Sequence, residues 1–293
     1  MQKGYMVIYM KKRIISGVVM GAVVALVLVL GLEVKDFIIT AFLCVIAAVA
    51  TFELVINAAK LKGLLWTLLP AAYTAVMVYL FSDITEQLYK LCLTNYANID
   101  LTVFMGAIIV SVVYFIACAV LILIKHNDFD LAKIAVVCAM PTVIAFAFST
   151  LGSIITATGG IYYLLLVLNF SSVCDMGAYF VGVSLGKTKL CPEISPNKTV
   201  EGAIGGVASS LVVGLIITLC YGYYSKILPT LLCTIPLCAA GMVGDLFASI
   251  IKRKTGIKDY GNLIPGHGGI LDRVDSILFI APLIFGLMII GVI

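Results

Sequence analysis

Runs of about 20 apolar residues recur along almost the whole chain, and such runs fold as helices in lipid, where only hydrogen bonds within the segment satisfy the backbone N–H and C=O groups. The runs and the polar breaks between them predict nine membrane spans, at about 14–31, 37–59, 64–81, 102–124, 131–151, 160–186, 200–222, 227–251 and 274–292. Little of the 293-residue chain is left over, so no separate soluble domain is expected. The 12% charged content agrees, being about half that of an ordinary soluble domain. The expected fold is all-α and polytopic, with an N-terminal membrane-spanning region over 1–159 and a C-terminal membrane region over 160–293 that carries the polar loops.

Lysine and arginine positions orient the bundle. The basic lead of Lys3, Lys11, Lys12 and Arg13 precedes the first apolar run without a convincing small-residue cleavage site, which predicts a retained first helix. With the N-terminus in the cytoplasm, only Lys35, Lys90 and Lys226 of the nineteen cations fall outside. So strong an asymmetry supports both the orientation and the odd number of spans. Nine scattered cysteines without a CxxC pair read as reduced, buried thiols.

Against this background the stretch Ser249–Ser276, SIIKRKTGIKDYGNLIPGHGGILDRVDS, is conspicuously polar. Asp245, Ser249 and Arg253 recur every four residues with Lys252 alongside, so one face of the eighth helix presents an acid, a hydroxyl and two cations. Gly256 to Gly269 is too rich in glycine to stay helical, and its GHGG around His267, Gly268 and Gly269 can bring backbone N–H groups close to phosphate oxygens. Lys258 lies in the same loop. Asp272 and Asp275, with Arg273 between them, stand at i, i+3 where the last helix is expected to start.

A second polar stretch runs from Asn169 to Gly206. Asp175, Tyr179, Gly182 and Gly186 are spaced to share a helix face, and for the glycines alone close helix packing is sufficient reason. An intramembrane carboxylate such as Asp175 needs a cation or a wet cavity; Lys187, Lys189 and Lys198 follow it. Thr199 is placed to cap the next helix, with Glu201 in its first turn. Elsewhere the chemistry is sparse. Glu53, inside the second run, is either functional or, near a helix end, snorkelling or paired with a lysine. His126 reads as a solvated loop residue, and Pro141 should kink the fifth span or be satisfied by neighbouring helices.

Carboxylates suit Mg²⁺, which binds through one or two of them plus water and substrate phosphate. Clustered lysines and arginines suit polyphosphate. Together they point to metal-assisted phosphoryl or nucleotidyl transfer at a membrane surface, and the missing GxxxxGK[ST] excludes a P-loop enzyme.

The stretch S-x-x-K-R-x₄-K-D-x₇-H-G-G-x-x-D-R-x-D, from Ser249 to Asp275, closely resembles the signature of phosphatidate cytidylyltransferases. D-x-x-A-Y-x-x-G-x-x-x-G-K from Asp175 and S-P-x-K-T-x-E-G from Ser195 are similar to a second region of that family. The resemblance covers roughly the last 120 residues; the first 160 agree only in being apolar. It implies an enzyme of the bacterial plasma membrane that condenses CTP with phosphatidate to give CDP-diacylglycerol and pyrophosphate. It also implies a homodimer using Mg²⁺ with a monovalent cation such as K⁺, and no nucleic-acid partner. On this reading Asp245 and Asp272 hold the principal Mg²⁺, helped by Asp175 and Asp275. Lys252, Arg253 and Arg273 join the acids in catalysis, and Lys198, Ser249, Lys258, His267, Gly268, Gly269, Tyr179 and Lys187 bind substrate. The site faces the cytoplasm and forms where the two polar stretches meet. The alternatives are a transporter, disfavoured because no inverted repeat is evident, and another CDP-linked lipid transferase, whose D-G-x-x-A-R start is missing.

Overall fold

The computed structural model describes residues 16–19, 21–31, 36–61, 63–94, 100–264 and 268–293. Lys3, Lys11, Lys12, Arg13, Lys35, Lys62 and His267 lie outside them. Among the described residues seven helices are long and apolar enough to cross a membrane: Phe37–Ala58, Leu64–Leu93, Leu101–Ile124, Leu131–Thr156, Gly160–Leu185, Val200–Cys220 and Tyr224–Thr255. They match the second to eighth expected spans in order. The first and last expected spans are shorter apolar helices, Ser16–Gly31 and Ile277–Ile289. The latter, 13 residues long, rises only about 20 Å, less than the ~30 Å hydrocarbon core.

Two further differences have local causes. The helix expected to end near residue 81 continues as one 31-residue element, Leu64–Thr94. Nothing breaks it, because Ser82 and Thr85 turn their hydroxyls back onto the carbonyls of Val78 and Phe81 at 2.8 and 2.7 Å. Between Leu185 and Val200 the chain forms an antiparallel hairpin, β1 (Lys189–Cys191) and β2 (Ser195–Thr199), pairing Lys189 with Thr199 and Cys191 with Ser195. The fold is helical apart from this ribbon. Pro141 acts as expected: α4 (Leu131–Cys138) stops before it and α5 (Met140–Thr156) restarts with the proline in its first turn, where no N–H is needed.

Contacts divide the chain into two compact units that do not follow its halves. The first comprises Met1–Thr85, Ile99–Gly152 and Lys254–Val274. It contains α1 (Asp36–Glu53) and its π-helical continuation Leu54–Ala58, most of α2 (Leu64–Thr94), and α3 (Leu101–Ile124). Hydroxyls are paired off inside it, as lipid surroundings demand. Thr51 bonds Thr74 at 2.9 Å. Tyr73 reaches Thr142 at 2.9 Å and Ser111 at 3.3 Å, and its ring stacks on Tyr114 with centroids 3.8 Å apart.

The second unit comprises Glu86–Asn98, Ser153–Arg253 and Asp275–Ile293. Here α6 (Gly160–Leu168) runs through a π turn, Asn169–Val173, into α7 (Cys174–Leu185), which packs on α8 (Val200–Cys220). Small residues permit that seam: a β-carbon on Gly202 would stand 2.7 Å from the Ala178 carbonyl oxygen, and one on Gly206 2.6 Å from that of Cys174. Asn169 donates to the Ser210 carbonyl at 3.0 Å and Ser210 donates back to that of Asn169 at 3.3 Å. The 29-residue α9 (Ile227–Thr255) and α11 (Ile277–Ile289) complete the unit.

Candidate active site

In the second unit α7, β2, α9 and the turn before α11 bring five predicted residues into electrostatic reach of one another. Asp175 is the second residue of α7, just after the π turn. Lys198 projects from β2, which Thr199 fixes by capping α8: its hydroxyl accepts the Gly202 N–H at 3.1 Å. Gly182 leaves room there, since a β-carbon would stand 3.0 Å from that hydroxyl. Asp245 lies on α9, and Lys198 makes an ion pair with it at 2.5 Å. The side chains keep 23% and 27% of their exposure. Asp175 interacts with both of these charges.

Asp275 sits in the turn before α11, and a β-carbon on Gly244 of α9 would come within 2.9 Å of its carbonyl oxygen. Burial, and then the negative charge of Asp245, push the Asp275 carboxyl up to about 7. The Lys252 ammonium, the Ser276 N–H bonded to Asp275 Oδ1 at 2.8 Å, and Asp175 act more weakly, the first two against the rise and the last with it. Each acid that ionises in this centre does so against the charge of its neighbours, with Lys198 and Lys252 as the counter-charges.

The hairpin and helix ends arrange the remaining cations. Glu201, expected only to favour its helix dipole, accepts the backbone N–H groups of Lys187 and Thr188 at 3.1 Å each and closes the loop below α7. Arg253 donates through Nε to the Ile194 carbonyl at 3.4 Å, tying α9 to the hairpin. Ser249 is half-buried on α9, and Arg253 and Lys187 are exposed. Tyr179, 66% exposed, meets only the edge of Phe180 among the ring contacts of the described residues. Gly186 is the C-cap of α7, and a β-carbon there would stand 2.8 Å from the Thr199 hydroxyl, the same group that Gly182 faces.

The first unit holds a different arrangement, around Asp272. The expected continuous helix start is interrupted: α10 (Leu271–Val274) is followed by a turn at Asp275 and Ser276 before α11. Asp272 Oδ2 accepts the N–H groups of Tyr260 at 2.8 Å and Gly269 at 3.0 Å. Gly268 has φ +87°, and a β-carbon there would lie 3.1 Å from the same oxygen. Lys258 and Arg273 are exposed. Glu53 enters here too: its Oε2 accepts the Leu271 N–H at 3.2 Å, while Oε1 accepts from no described residue. Asn57 Nδ2 donates to the Tyr260 carbonyl at 2.5 Å. The sequence signal for Asn57 was its i, i+4 spacing from Glu53, which alone does not separate it from any other polar residue near a helix end.

Among the described residues no three acidic, histidine or cysteine side chains converge tightly enough to enclose a metal ion by themselves. Mg²⁺ does not need such a cage, because one or two carboxylates with water and substrate phosphates suffice. The carboxylate oxygens of Asp245 and Asp275 fit that demand.

A phosphatidate cytidylyltransferase of Bacillus subtilis (strain 168) is 53% identical over 114 residues, which are 39% of this chain and 42% of that protein. Phosphatidate cytidylyltransferases of Staphylococcus haemolyticus (strain JCSC1435) and Staphylococcus aureus (strain COL) are 46% and 44% identical over 129 residues, 44% of this chain and 50% of each relative. The chain spans about half the length of the curated relatives it matches. The family match is longer, running over residues 11–290, and by it the chain belongs to the cytidylyltransferase family.

Proposed function

We propose that the chain transfers the cytidylyl group of CTP to phosphatidate, giving CDP-diacylglycerol in the membrane and releasing pyrophosphate. The observation that carries this reading is the cluster of Asp175, Lys198, Asp245, Lys252 and Asp275 on elements of a helical membrane protein, in a chain of the cytidylyltransferase family. An oxygen of the phosphatidate monoester attacks the α-phosphorus of CTP. The new O–P bond forms as the bond from the α-phosphorus to the bridging oxygen breaks, and pyrophosphate leaves with that electron pair. The monoester is already largely anionic at neutral pH, so a strong general base is unnecessary.

What the reaction requires is neutralisation, since two polyanions must meet beside a low-dielectric slab. Lys198, Lys252 and Arg253 are suited to this work, Lys198 by exchanging its contact with Asp245 for a phosphate oxygen. Mg²⁺, held by Asp245 and Asp275 with Asp175 nearby, would supply further charge stabilisation at the phosphates. Asp272, Arg273, Lys258, Gly268, Gly269, His267, Ser249, Tyr179 and Lys187 belong to the proposal through their positions in or beside the motifs. Nine spans, a cytoplasmic N-terminus and a cytoplasmic site rest on the lysine and arginine asymmetry. A homodimer and a monovalent cation rest on family resemblance.

The test uses purified protein in detergent with labelled CTP, phosphatidate and Mg²⁺. Label should enter the lipid phase in step with pyrophosphate release. Label that stays aqueous under every cation condition refutes the proposal.

A further inference from the structure

Among the described residues Glu53 is the one charged residue that is buried, at 6% exposure. A carboxylate inside an apolar helix is costly unless donors meet it, and Glu53 meets backbone rather than a lysine. Its Oε2 takes the N–H of Leu271 at 3.2 Å. Two glycines make room for it: β-carbons on Gly261 and Gly269 would lie 2.6 and 2.7 Å from its Cδ. One turn on, Asn57 donates to the Tyr260 carbonyl. Leu54–Ala58 is a π turn, a wider coil often found at functional sites, and it carries Asn57 just after Glu53.

The residues gripped in this way are those that orient Asp272. Tyr260 is held at its carbonyl by Asn57 and gives its N–H to Asp272. Gly269 packs on the Glu53 carboxyl group and also gives its N–H to Asp272. Leu271, which donates to Glu53, is bonded directly to Asp272 in the chain. We propose that Glu53 and Asn57 are positioning residues: they anchor Tyr260, Gly269 and Leu271 and thereby fix the orientation of Asp272, without touching substrate. The inference gives the N-terminal half of the chain a defined part in orienting Asp272. It rests on the proposed function only for its activity readout.

The experiment pairs hydrogen exchange over residues 259–272 with steady-state kinetics, on the full chain in detergent. In Glu53→Ala the amides of this segment should exchange about tenfold faster, as expected when a hydrogen bond is lost. Its kcat should fall about 100-fold, the scale of a 1 Å misplacement, while KM for CTP stays near the wild-type value. Glu53→Gln keeps an acceptor oxygen and should restore most of both, and Asn57→Ala should loosen the same segment. Wild-type exchange in Glu53→Ala overturns the proposal. So does Glu53→Gln that is as inactive as Glu53→Ala while its exchange is normal, since that marks direct contact with substrate or metal. If Glu53→Ala fails to fold, Glu53→Gln and Asn57→Ala carry the same two readouts. A wild-type protein that makes no lipid-linked cytidine refutes the function, whereas the exchange data still decide the anchoring.

Discussion

Lys198→Met removes one partner of the ion pair to Asp245 and leaves the acids facing one another. Truncating one side of a fully buried pair costs about 3–5 kcal/mol, and an exposed pair is worth under about 1 kcal/mol. With side chains 23% and 27% exposed, this pair falls between the limits, at about 2–3 kcal/mol. Asp175 and Asp275 both interact with Asp245, so removing the ammonium leaves three carboxyl groups near one another. At about 2 °C per kcal/mol for a chain this long, the unfolding midpoint in detergent with a chelator should drop by roughly 4–6 °C. Mg²⁺ should then raise the variant's midpoint more than that of the wild type, because the ion restores the missing positive charge. Lys198→Arg, which keeps the charge, should lose little. In combination with Asp245→Asn the two losses should not add, with a coupling of at least about 1 kcal/mol. Simple additivity, or an unchanged midpoint in Lys198→Met, would refute the charge-balance argument.

Gly269→Ala should destabilise by about 1–3 kcal/mol through overpacking against Glu53, whereas Gly286→Ala, with nothing within 4 Å of the new carbon, should melt like the wild type; equal midpoints for both would count against the Glu53 contact. Asp245→Asn and Asp272→Asn should each lower lipid-linked cytidine formation by about 100-fold or more while eluting as folded protein in detergent, and near-normal turnover in either removes that residue from the proposal. Chelation should stop product formation and added Mg²⁺ restore it, measured as label entering the lipid phase; turnover that persists through exhaustive chelation excludes a divalent ion.

The membrane helices were legible because apolar runs of spanning length are a strong one-dimensional signal, and Thr199 at its cap and Pro141 at its break follow equally local rules. The charge cluster was legible in its members, since Asp175, Asp245 and Asp275 are conspicuous in an apolar chain. Its pairing was not. Which lysine meets Asp245 depends on a hairpin that turns Lys198 toward α9, and the five-residue strand SPNKT, which contains a proline and an asparagine, gives no strand pattern to read. The end of α2 escaped because hydroxyls of Ser82 and Thr85, which look like loop residues, bond back along the helix. Glu53 was visible as an anomaly, but its partner is a backbone N–H some 218 residues away, and no spacing rule reaches that far.

The acids of this protein fall into two kinds, and the difference bears on which can serve a cation. Glu53 and Asp272 are met by backbone N–H groups, donors fixed by the fold that cannot leave when a ligand arrives. The fold thereby sets the orientation of these carboxylates. Asp245 and Asp275 are faced by lysine ammonium groups, on flexible stems, and by each other, although Asp275 also takes the N–H of the next residue, Ser276. Lysines of that kind can move to a phosphate, and the surplus negative charge they leave behind is what a divalent ion would neutralise. The two kinds of partner, backbone amide and ammonium, thus leave a carboxylate fixed in one case and able to exchange its counter-ion in the other.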